Sequence, residues 1–283
     1  MPSEIKINKW LIEQIKRREA LGLSRKAEFI ECDSRFNFAT NDYLALSKHP
    51  EVRSCLDNST AVGASASRLV SGTKEAHIRC ERMLAEMCQK ESALLFGSGY
   101  HANLGLLQGL IRREDIVVAD RLLHASMIDG IGLSKAEYRR FKHNDVDDLK
   151  NCLAKIREQS ADNSRVFILT ESIFSISGDR APLAEIAEVA IEYDALLIVD
   201  EAHAFGVFGP DGGGLISELG ISDKVFAITG SFAKAVGTYG GFIAGKEELK
   251  RFLLGSARAF IFSTALPPAL VKASCRSLEL IRS

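Results

Sequence analysis

Short apolar runs separated by longer amphipathic stretches constrain this 283-residue chain more than any other feature. The runs fall at residues 93–96, 116–119, 166–170, 196–199 and 225–229. They are continuous rather than alternating, the pattern of strands covered on both faces. Helical patterns lie between them, so the expected architecture is α/β with a mainly parallel sheet. Residues 242–244, close behind Gly240-Gly241, are expected to add one further strand in the antiparallel sense. Trp10, Leu11 and Ile15 stand at helical spacing among charges and predict an amphipathic leading helix. Ile78, Met83, Leu84 and Met87 predict one apolar face of a helix that follows Thr73.

Bulk properties remove several classes of function. A hydrophobic fraction of 46% with 26% charged residues belongs to a folded protein. Lysine and arginine total 36 against 37 acidic residues, and no basic stripe stands out. Lys16-Arg17-Arg18 reads as the solvated face of the leading helix, so neither nucleic acid nor a membrane surface is expected as partner. No uninterrupted apolar stretch approaches the ~18 residues of a membrane span. Cysteines 32, 55, 80, 88, 152 and 275 form no C-x-x-C pair and no zinc spacing. Reduced thiols in a cytoplasmic protein are the expectation. The opening Met1-Pro2-Ser3-Glu4-Ile5-Lys6 lacks the apolar run of a signal peptide.

In sheets of this kind ligands bind beyond the carboxyl ends of the strands. Asp200 follows the run 196–199 directly, and a carboxylate there can keep a heteroaromatic nitrogen protonated. Pyridoxal 5′-phosphate (PLP) needs that proton if its ring is to accept electrons. His203 is placed to bond the ring oxygen; the plain alternative is an aspartate capping a helix with a histidine on its first turn. Lys234 stands between Ala233 and Ala235 with Gly237 nearby, a setting in which an amine can lose its proton and form a Schiff base. The plain alternative is a surface lysine. Ser231 can direct its hydroxyl at a phosphate. Gly97-Ser98-Gly99-Tyr100 lies between a strand and a helix whose free N–H groups would cradle a phosphate. The same glycines, with Ala102 and Asp120, also satisfy a dinucleotide-binding fingerprint. That alternative leaves Asp200, His203 and Lys234 unemployed. His124 has a ring that can lie flat on a pyridine, or is a bland histidine near a helix start. No third ligand appears at metal spacing, so no metal site is expected.

Taken in order, the motifs resemble the α-oxoamine synthases, fold-type I PLP enzymes, from about Phe38 to Pro268. They are Asn41-Asp42-Tyr43-Leu44, Ser67-Arg68-Leu69-Val70-Ser71-Gly72-Thr73, Phe96-Gly97-Ser98-Gly99-Tyr100 and Asp120-Arg121-Leu122-Leu123-His124-Ala125-Ser126. His143-Asn144-Asp145, Phe174-Ser175-Ile176-Ser177-Gly178-Asp179, Asp200-Glu201-Ala202-His203, Ser231-Phe232-Ala233-Lys234 and Phe262-Ser263-Thr264-Ala265-Leu266-Pro267-Pro268 complete the set. The resemblance implies a PLP-dependent transferase large domain, a mainly parallel seven-stranded sheet with helices on both faces.

It also implies roles. Lys234 would carry PLP and shuttle the α-proton, Asp200 would face the pyridinium nitrogen, and His203 the ring oxygen. His124 would stack on the ring, and Ser98, Gly99, Tyr100 and Ser231 would hold the phosphate. Ser175 would lie near the ring oxygen. Ser263 and Thr264 would reach the phosphate of a partner subunit, which implies a homodimer with shared active sites. Arg25, Asn41 and His124 would contact substrate. The implied reaction is decarboxylative condensation of an amino acid with an acyl thioester. The branch it looks most like joins L-alanine to pimeloyl-CoA or pimeloyl-ACP in biotin synthesis. Glycine-using members such as 2-amino-3-ketobutyrate CoA ligase share the motifs and stay open, as does a PLP-binding protein without full activity. Ala204-Phe205-Gly206 departs from the branch, and Phe205 is expected to narrow the substrate cleft. The expected organisation is an N-terminal helix and arm at 1–40, a PLP-binding domain at 41–270, and the start of a connecting helix at 271–283. The resemblance implies a further C-terminal domain of about 100 residues, which the chain is expected to lack.

Overall fold

The computed structural model describes residues 2–27, 37–57, 61–159 and 164–283, which leaves Cys32 outside the described residues. The chain divides into two compact units, residues 1–40 and 41–283. The first holds α1 (Pro2–Ala20), with Glu4 in its first turn and Arg17 and Arg18 in its last, charges that complement the helix dipole. Trp10, Leu11 and Ile15 are exposed on it.

The second unit is built on seven strands. They are β1 (Ser92–Phe96), β2 (Ile116–Asp120), β3 (Glu137–Phe141), β4 (Val166–Glu171), β5 (Ala195–Asp200), β6 (Ala227–Ser231) and β7 (Gly241–Gly245). Their order is β1-β7-β6-β5-β4-β2-β3. β7 runs antiparallel to both β1 and β6, and the remaining pairs are parallel. Two expectations need correction. Val225 and Phe226 follow a 3-10 turn, and the strand begins at Ala227. β3 has no counterpart among the apolar runs, because Glu137-Tyr138-Arg139-Arg140-Phe141 is an edge strand that buries only Phe141.

The helices are α2 (Pro50–Asp57), α3 (Glu75–Met87), α4 (Gly99–Leu110), α5 (Ala125–Ser134), α6 (Val146–Gln159) and α7 (Leu183–Glu192). After β5 come α8 (Leu215–Glu218), α9 (Glu247–Ser256), α10 (Arg258–Ile261) and α11 (Pro268–Ile281). Successive strand residues turn to opposite faces, so each strand feeds two cores. Val118, Ile168 and Val199 pack with Leu84, Leu149, Ile186 and Leu278 on one side. Val117, Phe167 and Ile198 pack with Leu106, Met127 and Leu253 on the other. Each such side chain contributes about 1.5–3 kcal/mol on burial. Ile78, expected on the inner face of α3, is 51% exposed; His77 and Cys80 take the inner positions. Phe205 lies in the first core, 1% exposed and 4.8 Å from Phe242 between ring centroids, so it does not narrow a cleft. α11 packs against α2 and α3 as one helix, and the expected 270/271 boundary falls inside it. Among the described residues no helix is long and apolar enough to cross a membrane.

From β2 the chain moves outward to β3, then returns to place β4, β5 and β6 on β2's other side. That reversal opens a crevice at the carboxyl ends of β2 and β4, where a ligand fits in doubly wound sheets.

Candidate active site

The turn after β1 meets the start of β7. Gly241 pairs with Phe96 on one side and Ser231 on the other. A Cβ on Gly241 would overlap the backbone of Ser98 and Gly99, and one on Gly99 would stand 3.0 Å from Ser231 Cβ. Only glycine permits this close approach. Ser98 caps α4, its hydroxyl accepting the His101 N–H at 3.2 Å. The positive end of α4 and its free N–H groups therefore open beside Ser231, a fit for a phosphate dianion. Tyr100 is partly exposed there, and its hydroxyl donates to Asp129.

Asp200 ends β5 and is 6% exposed. Its Oδ1 accepts the Ala202 N–H at 2.9 Å and its Oδ2 accepts the Asn103 amide at 2.7 Å. The same amide nitrogen donates to Ser126 Oγ at 2.9 Å. Ser126 Oγ stands 2.7 Å from His124 Nδ1, and the Ser126 N–H donates to that nitrogen at 3.2 Å. A backbone N–H can only donate, so Nδ1 is the acceptor and the neutral ring carries its proton on Nε2. His203 is half-buried, with Nδ1 2.7 Å from the Tyr43 hydroxyl. That hydroxyl is 3.3 Å from Asn41 Oδ1, which links Asn41 to the site through Tyr43. Burial, then the charge of Lys234, pushes His203 down to about 4 against the pull of Asp200. It is neutral at physiological pH.

Lys234 lies just past β6, also half-buried. Burial pulls its amine below the ordinary lysine range, opposed by Asp200 and Glu171. Glu171 ends β4 and pairs in register with Asp200; it is 3% exposed, and its Oε1 accepts the His124 N–H at 2.6 Å. Burial and the Asp200 charge push it up to about 8.

Ser98, Gly99, Tyr100, His124, Asp200, His203, Ser231 and Lys234 line one cavity of about 180 Å3 with Asn103, Ser126 and Glu171. A larger cleft of about 640 Å3 lies at the opposite, amino end of β5 and carries no such set. Ser175 is exposed on the loop after β4 and does not line the cavity. Ser263 and Thr264 lie on a strap that pairs with Ser67, also outside it. Arg25 belongs to the N-terminal unit. Sequence reasoning gave no role to Asn103, Tyr43, Ser126 or Glu171. Only Glu171 carried a usable signal, an acid at the carboxyl end of an apolar run.

The dinucleotide alternative fails on Asp120. That residue is fully buried, bonding His143 Nδ1 at 2.9 Å and the N–H groups of Asn144 and Leu122 at 2.9 and 2.8 Å, so no ribose can reach it. His143 Nε2 lies 2.7 Å from Asp179, clasping the loop after β4 to the end of β2.

A carboxylate for a ring nitrogen, a confined lysine and a glycine-walled phosphate cradle fit PLP. This edge, on this sheet, defines a fold-type I PLP-dependent transferase. The chain belongs to the aminotransferase class I and II family, whose model matches residues 34–282, and within it to the α-oxoamine synthases. It is 41% identical over 285 aligned positions to 8-amino-7-oxononanoate synthase of Anaeromyxobacter sp. (strain K), covering 96% of this chain and 70% of that protein. Sphingomonas wittichii serine palmitoyltransferase superposes with a TM-score of 0.80 at 34% identity, covering 86% of this chain and 61% of that one. A variant of serine palmitoyltransferase from S. paucimobilis, solved with a bound PLP–myriocin aldimine, gives 0.86 at 28% identity, covering 96% and 71%. The chain thus spans roughly two thirds of the length of these relatives.

Proposed function

We propose that the chain binds PLP on Lys234 and condenses an amino acid, L-alanine by preference, with pimeloyl-CoA or pimeloyl-ACP. The products are 8-amino-7-oxononanoate, CO2 and the free thiol. A bond forms between the amino acid α-carbon and the thioester carbonyl carbon, the C–S bond breaks, and the carboxylate leaves as CO2. The observation that carries the proposal is the gathering of Lys234, Asp200, His203 and His124 around one cavity at the mouth of α4. Identity of 41% to a synthase of this reaction supports the choice of substrates.

PLP, when bound, supplies an electron sink for the pair left by a departing α-proton. The chain's own residues do the rest. Asp200, fixed by Asn103 and the Ala202 N–H, would hold the pyridine nitrogen protonated. His203, neutral and braced by Tyr43, would bond the ring oxygen. The N-terminus of α4 with Ser98, Gly99, Tyr100 and Ser231 would bind the phosphate. Lys234 would take the α-proton, and His124, with its proton on Nε2, would cover the ring and meet the substrate. Asn41 and Arg25 are proposed as substrate contacts, and Ser175 as a ring-oxygen neighbour.

Residues 41–270 would form the cofactor domain, with 1–40 an arm and 271–283 a connecting helix. Ser263 and Thr264 would serve a second copy of the chain, making a homodimer with shared sites. Acyl-thioester chemistry and cysteines that are free among the described residues fit a cytoplasmic protein.

The test is chemical. Protein supplied with PLP and reduced with borohydride should gain mass on the Lys234 peptide, and Lys234→Ala should not. L-alanine should perturb the visible absorbance more than glycine or L-serine does. Stable label on another residue would overturn the lysine assignment, and a stronger response to glycine would move the chain to the glycine-using members.

A further inference from the structure

Residues 41–47 form a turn seated against the loop that carries Lys234. Asp42 holds the turn, its carboxylate accepting from the Ser47 hydroxyl at 2.5 Å and its carbonyl from the Ala45 N–H at 3.0 Å. Leu46 and Ser47 lie on Gly237, three residues past Lys234, where a Cβ would overlap the Ser47 nitrogen and the Leu46 carbonyl carbon. From this turn Tyr43 reaches His203, its hydroxyl 2.7 Å from Nδ1. His203 lines the cavity and Tyr43 does not. Nε2 makes no hydrogen bond among the described residues, so it is the nitrogen left for a ligand. A neutral imidazole has one N–H to place, and His203 is neutral. The phenol also has one hydrogen, with two acceptors near it, Nδ1 at 2.7 Å and Asn41 Oδ1 at 3.3 Å. The first distance is ordinary for an O–H donor and the second lies beyond its usual range. The phenol hydrogen therefore goes to Nδ1, and the imidazole proton to Nε2.

We propose that Tyr43 selects the tautomer of His203, donating to Nδ1 so that the ring offers an Nε2–H donor to the oxygen on the PLP ring. The proposal rests on the reading of the cavity as a PLP site and adds the direction of one hydrogen bond. A donor stabilises that oxygen in its ionised form, whereas the other tautomer would set a lone pair against it. Tyr43 is thus a positioning residue acting through His203.

The experiment has two arms. In the first, the full chain free of cofactor carries isotope-labelled histidine, and proton–nitrogen correlation spectra at about pH 7.5 read which ring nitrogen is protonated. His203 is assigned among the six histidines by its loss in His203→Gln. Wild type should show a protonated Nε2 and an Nδ1 that accepts a hydrogen bond. Tyr43→Phe should move Nδ1 away from that position; Tyr43 is 44% exposed, so the variant leaves the cores intact. A protonated Nδ1 in wild type, or an Nδ1 signal that Tyr43→Phe does not move, would overturn the proposal. The second arm measures the affinity of wild type and Tyr43→Phe for PLP and for an analogue that lacks the ring oxygen. Tyr43→Phe should weaken PLP about tenfold and leave the analogue unchanged. Equal weakening of both compounds would show that Tyr43 only braces the site, and would overturn the proposal while PLP binding stands. If wild type binds neither compound, the PLP reading fails and the proposal falls with it.

Discussion

Asn103 is 2% exposed on the inner face of α4 and gives one amide nitrogen to both Asp200 and Ser126, at 2.7 and 2.9 Å. Through the Ser126 hydroxyl it also joins the network around His124 Nδ1. Asn103→Leu keeps the branched, four-heavy-atom shape with bulkier methyl groups, and leaves a buried carboxylate and hydroxyl without that donor. The expected cost is about 1–3 kcal/mol in urea unfolding, with PLP affinity falling about tenfold as Asp200 loses its fixed orientation. Wild-type stability and affinity in Asn103→Leu would show that Asp200 is held by other means. The residue was invisible in the sequence for a physical reason. Its partner is 97 positions away, and it sits inside a run of leucines that announces only a buried helix. Asp200 was legible because it follows an apolar run directly, and His203 and Lys234 because they stand a few residues past the ends of such runs, so strand direction puts them near the ligand edge. Phe205, read as a cleft residue, obeyed the ordinary rule for aromatics and went to the core.

Elements were legible where both faces are buried. β1, β2, β4 and β5 announce themselves as continuous apolar runs, with burial throughout β1, β2 and β4. β3 did not, since an edge strand needs only one apolar anchor, here Phe141. The end of β2 and the loop after β4 are joined by the clasp of His143. The ring bridges buried Asp120 and the loop residue Asp179, at 2.9 and 2.7 Å, with Phe174 packed edge-on against it. Burial alone would lower this histidine, but the two carboxylate bonds outweigh it and raise it above its ordinary value. Such a group stabilises the fold below its unfolded pKa of about 6.5, and that contribution is lost as pH rises through the folded value. His143→Ala should cost about 1–3 kcal/mol. It should also speed amide exchange across residues 172–181, after correction for intrinsic rates. In wild type the same segment should loosen as pH climbs past the histidine's titration, and in the variant that pH dependence should vanish. Unchanged exchange in His143→Ala would mean that the loop is held by its own turns.

At the scale of the whole molecule the strap from Phe262 to Leu266 presents the remaining problem. It is fixed in place: Thr264 bridges Ser67, the Ala265 N–H donates to Ala66 at 3.0 Å, and the Leu266 carbonyl stands 3.0 Å from His77 Nε2. Arg68, next to Ser67, is tied to Glu81 at 2.8 Å with both side chains nearly buried. Yet this braced surface points large apolar groups at solvent, with Val70 80%, Phe262 72% and Leu69 50% exposed. A rigid apolar surface is the mark of an interface, and Ser263 and Thr264 lie on it rather than in the chain's own cavity. A second copy would cover the apolar groups and receive the two hydroxyls at its phosphate cradle. Full burial of a large apolar side chain contributes about 1.5–3 kcal/mol, so the pair Val70→Asp and Phe262→Asp should weaken a dimer at least about a hundredfold. Sedimentation should then find monomer, and PLP retention should fall with it, while circular dichroism stays that of the wild type because neither residue is in a core. Ser263→Ala with Thr264→Val should instead lower PLP affinity and leave the dimer intact. A monomer that keeps PLP at full occupancy would show that each chain completes its own phosphate site, and the strap would then need another partner.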